Sequence, residues 1–554
     1  MDPANPANGD RNEDFSLYVG RWIAHTGNRV IAQGGTPEQA RRAAQASRPK
    51  EIPQVVFIPF PESFVFHPIL SQVASVLPAG SPAYLVGGAV RDAMLSQPTH
   101  DLDIVLPGNA IQIARKVADS LNGFFYPLDE DRNYGRVILS NNNSERFIID
   151  FTVYQGLDLE SDLRARDFTV NALAVEIHQT QALFDPLGGT NDLRNKLIRM
   201  CQIDSLQKDP IRILRGVRLA TSLKFRIHPD TLLQMRSAAH LLSNSSPERV
   251  RDEIMRILDG PKPASAIRAL DVLDILPVIF PELVELKKIS QSPPHISDVW
   301  NQTLAVVKSL YTLIKVLSLD YNQDDAANLH LGLVSTSLGR YREPLARHLT
   351  TFFTPDRSIR PLLYLAALYH DSGKTSTREI EPSGRIRFFK HEHVGADMIH
   401  HRAQALMLSN PEVDYLTSIV RNHMRPLFMM QAKDQPSRRA IYRFFRDCGQ
   451  SGVDIALLSL ADTLATYGPT LPQELWVRQL EIVRDLFQAW WEHPQESVSP
   501  KPLVTGYNLI DELNLSPGPI IGRLLEEIRE AQATGLVTTK EEAFELARKI
   551  KSNG

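Results

Sequence analysis

The 554-residue chain holds only two cysteines, Cys201 and Cys448. Two are too few for a disulfide framework, so both read as plain buried thiols of a reducing compartment. It has no apolar run long enough to cross a bilayer, which excludes a membrane helix. The stretch from Met1 to Asp14 is polar and lacks the basic-then-apolar order of a signal peptide, so a cytoplasmic location is expected. An excess of one charge is also missing: a formal net charge of −3 excludes a uniformly basic nucleic-acid binder. No internal repeat punctuates the chain. What remains is the composition of a globular protein, 43% hydrophobic and 23% charged, at a length that implies several domains.

Two short stretches carry the chemistry. Leu85-Val86-Gly87-Gly88-Ala89-Val90-Arg91-Asp92 reads as a strand, a double-glycine turn and a helix start. Glycines let backbone approach a ligand, and helix-start N–H groups favour an anion such as a triphosphate. Asp101-Leu102-Asp103-Ile104-Val105 reads as a strand. Side chains alternate faces, so Asp101 and Asp103 share one, roughly 6–7 Å apart at about 3.3 Å per residue. Paired carboxylates beside a phosphate site suit Mg²⁺. Two metals there could activate a hydroxyl and stabilise a pyrophosphate leaving group. Each motif alone is also a common turn or a chance pair; their order and spacing favour a nucleotidyltransferase site.

The pattern Gly87-Gly88-x-x-Arg91-Asp92 followed by Asp101-x-Asp103 resembles the first motif of the bacterial tRNA nucleotidyltransferase and poly(A) polymerase family. Further motifs follow in the family's order: Arg166-Asp167-Phe168-Thr169-Val170-Asn171, Asp185-Pro186-Leu187-Gly188-Gly189, Asp209-Pro210-x-Arg212-x-x-Arg215-x-x-Arg218, and Glu248-Arg249-Val250. The resemblance implies an α+β protein: a mixed α/β nucleotidyltransferase head over 66–200, then a largely α-helical remainder. The remainder divides into a neck (201–265), a body (266–350), an HD-like domain (351–490) and a C-terminal segment (500–554). Residues 1–15 are expected to be disordered. Residues 16–60 form a small accessory unit: a hairpin from Val19–Ala24 and Arg29–Ala32, then a helix capped by Thr36.

The resemblance implies a template-independent, Mg²⁺-dependent enzyme acting on the tRNA 3′ acceptor end with CTP and/or ATP. In it, Gly87, Gly88 and Arg91 lie near the triphosphate, Arg166 contacts the incoming nucleotide, Asp167 belongs with it, and Asn171 orders the site. Asp209 and Arg212 select the base, since Asp accepts from base amino groups and Arg donates to base acceptors. Asp209, Arg212, Arg215 and Arg218 recur every third residue and are expected as one helical stripe. The family has Glu-Asp where this chain has Lys208-Asp209. Between 191 and 226, nine basic residues face three acidic ones, a local excess suited to phosphates. Arg91 has a second reading as a surface arginine capping its helix. Asp150, in the strand Phe147–Phe151, reads either as a third catalytic carboxylate or as a strand-end residue satisfied by backbone N–H groups.

His370-Asp371, His391, His423 and Asp462 resemble the HD phosphohydrolase domain fused to this family, whose cluster binds a second divalent metal. The family's first His falls at Gln302, a poorer metal ligand, and His295, seven residues earlier, is expected not to replace it. An active hydrolase and a degenerate helical scaffold both fit. The other readings are a poly(A) polymerase, a hydrolase with an RNA-binding head, and an inactive RNA-binding protein. Family members that add all of CCA carry an extended loop before the second motif. Here eleven residues separate Asp150 from Asp162, resembling enzymes that add only the two cytidines.

Overall fold

The computed structural model describes residues 15–59, 65–78, 80, 82–140, 146–322, 328–354, 357–431 and 435–552. The expectation for residues 1–15 lies outside these, apart from Phe15, which opens a 3₁₀ turn to Tyr18. The chain forms two compact units, Met1–Leu241 and Leu242–Gly554. Among the described residues no helix is long and apolar enough to cross a membrane.

The first unit begins with β1 (Trp22–Thr26), β2 (Arg29–Gly34), α1 (Pro37–Ser47) and β3 (Gln54–Phe57). The hairpin and helix are as expected; β3 is an addition and makes a three-stranded antiparallel sheet in the order β2-β1-β3. Thr36 caps α1, its Oγ1 accepting from Gln39 N at 3.2 Å. Trp22 Nε1 donates to Leu183 O at 2.8 Å. Gln39 Nε2 donates to Pro186 O at 3.1 Å. These bonds seat the accessory sheet on the head.

The head follows as α2 (Ile69–Val76), β4 (Tyr84–Val86), α3 (Gly88–Met94), β5 (Asp101–Leu106), α4 (Ala110–Ser120), β6 (Phe124–Asp129), β7 (Tyr134–Ser140), β8 (Arg146–Val153), α5 (Leu159–Ala165), β9 (Ala174–Glu176) and β10 (Gln179–Phe184). The strands form one sheet ordered β10-β9-β4-β5-β8-β7-β6. Only β5 and β8 are parallel within it; the other pairs are antiparallel. Alternation explains its two faces. Leu102, Ile104 and Leu106 point to a buried side, as do Val137, Leu139, Phe147, Ile149 and Phe151. Helix α4 covers that side with Ala110, Ala114 and Val117. The intervening residues, Asp101, Asp103, Arg136 and Asp150 among them, share the opposite face.

Beyond the head lie α6 (Gly189–Arg194), α7 (Ser205–Lys208) and α8 (Ile211–Leu223). Asp209 is not in the helical stripe. It is an extended residue after α7, and Pro210 starts the next helix, as proline's fixed φ and missing N–H favour. Among the described residues the second unit is helical apart from two short two-stranded ribbons. Its central helix, Ser451–Tyr467, is buried along nearly its whole length. The C-terminal helices Gly506–Leu513, Pro519–Ala533 and Lys540–Ser552 enclose their own apolar cluster around Leu509, Leu524 and Ile528. Both cysteines are free, but only Cys448 is buried; Cys201 is half-buried, against expectation.

Candidate active site

Strand register builds the site. Asp103 on β5 is paired with Asp150 on β8, which is paired with Arg136 on β7, so three charged side chains form a row across the sheet. Arg136 grips Asp150 with two bonds, Nε to Oδ1 at 2.7 Å and Nη2 to Oδ2 at 2.8 Å. The Tyr134 hydroxyl donates to the same Oδ2 at 2.5 Å. Asp150 is therefore satisfied by side chains and not by backbone N–H groups, and both of its oxygens are engaged. Burial and then Asp150 hold the Tyr134 phenol well above its usual range.

Asp103 keeps accessible surface in the pocket while protein atoms crowd it. That crowding raises its carboxyl above the ordinary value; Arg166 opposes the shift, and Asp150 and Asp101 add to it. Asp101, two residues earlier on the same face, is exposed. Gly87 has φ +76°, and a Cβ there would lie 3.1 Å from Arg166 Nη1 and 3.3 Å from Asp103 Oδ2. Glycine is thus required both by the backbone and by the close approach of the two charged groups.

The second motif supplies a wall. Arg166 donates from Nε and Nη2 to Asp162 Oδ2, each at 3.1 Å. Asp167 is buried; its carboxylate takes bonds from Phe168 N at 2.7 Å and Asn171 Nδ2 at 3.1 Å and pairs with Arg215 Nε at 3.0 Å. Burial works to raise the Asp167 carboxyl, but Arg215 and these bonds outweigh it and hold it low. Arg91 Nη1 donates to Asn171 Oδ1 at 2.6 Å and its Nε to Asp92 Oδ1 at 2.8 Å. Arg91 therefore ties Asp92 to Asn171 and is not a loose surface arginine. Arg212 donates from Nη1 to Arg166 O at 3.0 Å, with its Nε 3.7 Å from Asp209 Oδ2.

One cavity of about 330 Å³ is lined by Gly87, Gly88, Asp103, Asp150, Arg166, Asp167, Asn171, Asp209, Arg212 and Arg215. Arg91, Asp101 and Arg218 are not among its lining residues. Tyr134, Asp162, Thr152 and Gln155 are, and sequence reasoning missed them. Tyr134 and Arg136 were detectable in principle, since a Tyr-x-Arg strand beside an acidic strand offers partners on one face.

A second cluster lies in the second unit. His370, His391 and His423 each set Nδ1 near the carbonyl three residues earlier: Ala367 O at 2.8 Å, Phe388 O at 2.9 Å and Val420 O at 2.7 Å. A carbonyl only accepts, so each Nδ1 carries the hydrogen and each Nε2 is turned inward; burial opposes a charge on His370, but Asp371 and Asp462 outweigh it and raise its pKa to about 10. Nε2 of His391 is 3.3 Å from Asp371 Oδ1 and 3.4 Å from His423 Nε2. Nε2 of His370 is 3.2 Å from Asp371 Oδ2 and 3.8 Å from Asp462 Oδ1. Asp371, His391 and His423 can offer ligand atoms within 4.8 Å of one another, a donor set that fits a divalent cation. Burial, then the neighbouring His391 and His370, push His423 down to about 3, keeping it neutral.

Gln302 faces the cluster where the family's histidine is expected. Its Nε2 donates to Asp462 Oδ1 at 2.9 Å, and Gln291 Nε2 donates to its Oε1 at 2.5 Å. Lys374 Nζ bridges Asp371 Oδ2 at 2.8 Å and Gln291 Oε1 at 2.7 Å. His295 lines the same cavity as Asp371, His391 and Asp462, but it is not among the residues whose ligand atoms converge.

Comparison with known proteins agrees with this arrangement. The Poly A polymerase head domain matches residues 83–199, the probable RNA- and SrmB-binding site of polymerase A matches 224–286, and the HD domain matches 345–466. Residues 13–62 match a family of unknown function. The A-adding tRNA nucleotidyltransferase of Deinococcus radiodurans is 32% identical over 467 residues, covering 83% of this chain and 94% of that protein. The CC-adding tRNA nucleotidyltransferase of Thermus thermophilus is 32% identical over 471 residues, covering 83% and 92%. A structure described as a CCA-adding enzyme with ATP shares the fold at a TM-score of 0.55 and 21% identity, covering 88% of this chain and 94% of that one. The chain is a nucleotidyltransferase and belongs to the bacterial tRNA nucleotidyltransferase and poly(A) polymerase family.

Proposed function

We propose that this enzyme adds cytidines from CTP to the 3′ acceptor end of tRNA. One observation carries the reading: a single cavity holds both the carboxylate Asp103 and the base-reading pair Asp209 and Arg212. The family's reaction depends on a metal, and we assign Mg²⁺ to Asp101 and Asp103. Bound there, it would acidify the RNA's terminal hydroxyl and offset charge on the triphosphate. Gly87 and Gly88 let the triphosphate approach the backbone, and Arg166 and Arg215 supply positive charge to it. Arg91 and Asn171 brace the turn. Asp209 and Arg212 meet the base edge, so the protein replaces a template.

Restriction to two cytidines rests on the link between β8 and α5. Its five residues are tied down: Gln155 N donates to Asp162 Oδ1 at 2.9 Å, and Asp158 caps α5 through Ser161 N at 2.8 Å. Asp162 in turn holds Arg166, leaving the base-reading wall little freedom to re-form for adenine. The test uses tRNA lacking its CCA end, incubated with each nucleotide alone and in combination, with the products sequenced. The expected product ends in CC, with no adenosine added when ATP is supplied. Incorporation of ATP onto tRNA ending in CC would overturn the restriction, and untemplated addition of many adenosines would favour a poly(A) polymerase.

A further inference from the structure

The row that carries the catalytic carboxylates does not stop at Arg136. Tyr126 on the edge strand β6 is paired with Arg136, and Phe124 is paired with Ile138, itself paired with Ile148 opposite Asp101. Two parallel rows therefore run across one face: Asp103, Asp150, Arg136, Tyr126, and Asp101, Ile148, Ile138, Phe124. Helix α4 lies on the other side, where Arg115 stacks over Phe125. The outer end of the active-site face is open and aromatic: Phe124 is 67% exposed, Tyr126 49% and Leu128 45%. Phe124 and Tyr126, on alternate positions of one strand, form an exposed apolar patch that water does not favour, with Leu128 exposed at the irregularity that follows. At about 4.8 Å per strand, Tyr126 lies roughly 14 Å from Asp103.

We propose that Phe124 and Tyr126 form a stacking platform for the unpaired 3′-terminal nucleotides of the RNA acceptor; this rests on the function proposed above. Three observations select that occupant. The patch continues the rows of the catalytic carboxylates, so a strand whose 3′ hydroxyl reaches Asp103 has to leave along a face of this site. Aromatic rings on a sheet face stack bases of any sequence, which suits an acceptor whose last base changes after each addition. Edge-to-edge pairing with a second copy is blunted, because Pro127 in the middle of β6 has no N–H to donate.

The test is steady-state kinetics on the full chain with tRNA lacking its CCA end and CTP. A second readout is the fluorescence of a 2-aminopurine placed at the acceptor's last nucleotide. The Phe124→Ala, Tyr126→Ala double variant removes only exposed groups. It is expected to raise KM for tRNA about tenfold or more, leave KM for CTP unchanged and relieve the quenching seen with the parent. Phe124→Trp with Tyr126→Phe should restore both readouts. Unchanged tRNA KM and quenching in the double variant, with a parent that extends tRNA normally, would overturn the platform alone. A parent that extends no tRNA would overturn the function beneath it. Loss of a dimer in the double variant, seen by sedimentation with tRNA KM unmoved, would assign the patch to a second copy instead.

Discussion

Gly87→Ala isolates one atom's worth of space at the centre of the proposed chemistry. Gly87 has φ +76° and ψ −137°, a region open in practice only to glycine, and a side chain forced there costs about 1–3 kcal/mol. The added Cβ would press on Arg166 Nη1 at 3.1 Å and Asp103 Oδ2 at 3.3 Å. Neither yields easily. Arg166 is fixed by two bonds to Asp162, and Asp103 sits on β5 between two paired strands. Displacement approaching an ångström costs about a hundredfold in rate, so a loss between about tenfold and a hundredfold is expected for a smaller shift. Gly88→Ala is the control. Its Cβ meets Arg91 Nη2 at an ordinary 3.4 Å, and alanine favours a helix over glycine by about 1 kcal/mol. Single-turnover CTP addition measures the rate and urea denaturation the stability. Parent-like rate and stability in Gly87→Ala would refute the reasoning, as would equal damage from Gly88→Ala.

Asp103→Ala should cost at least about a thousandfold in rate, roughly 4 kcal/mol of barrier, with circular dichroism unchanged; near-parent incorporation removes Asp103 from the metal site. Asp209→Ala and Arg212→Ala should relax nucleotide choice, by about 1–3 kcal/mol of discrimination, more than they weaken tRNA binding, and misincorporation of UTP or GTP no higher than the parent's counts against base reading. In the second cluster, Gln302 and Lys374 already engage the acidic residues, so the parent should show little bound metal by mass spectrometry and little hydrolysis of 2′,3′-cyclic phosphates. Gln302→His should raise both; strong parent hydrolysis abolished by Asp371→Ala contradicts this. A pH dependence is expected at His348, whose Nε2 lies 2.9 Å from the buried Asp454. Burial opposes its charge, but Asp454 outweighs burial and raises its pKa. Its contribution to stability is full below the unfolded value near 6.5 and fades as pH rises through the higher folded value. The stability gap between the parent and His348→Gln should therefore shrink toward alkaline pH, and a gap that widens rules the pair out.

Legibility followed the range of the information. The double-glycine turn and Asp101-x-Asp103 were readable because each needs only local rules: a positive φ and a two-residue alternation. The Thr36 cap was readable for the same reason. Strand β6 was missed because Pro127 interrupts Phe124–Asp129, and a central proline argues against a strand unless it lies on an edge. Asp209 was misplaced because its three-residue spacing to Arg212 mimics a helix that Pro210 in fact begins. Arg136 and Tyr134 stayed hidden because their role depends on cross-strand register, which no single segment encodes.

Register also separates the carboxylates of the site by task. Asp150 holds Arg136, Asp162 holds Arg166 and Asp167 holds Arg215, each within about 3 Å. Each of these pairs is close to neutral and fixes an arginine or a wall. Asp101 and Asp103, among the described residues, make no ion pair of that kind. They stand two residues apart on one strand, and crowding raises the Asp103 carboxyl against the opposing charges of Arg166 and Arg215, with Asp150 and Asp101 adding to the shift. Such an arrangement lowers stability unless a cation joins it. The nearby arginines make their close ion pairs with other carboxylates, Arg136 with Asp150, Arg215 with Asp167 and Arg166 with Asp162. This is the arrangement expected if the proposed Mg²⁺ joins the two carboxylates. On the proposed assignment, replacing Arg136 would free Asp150 to compete for that ion.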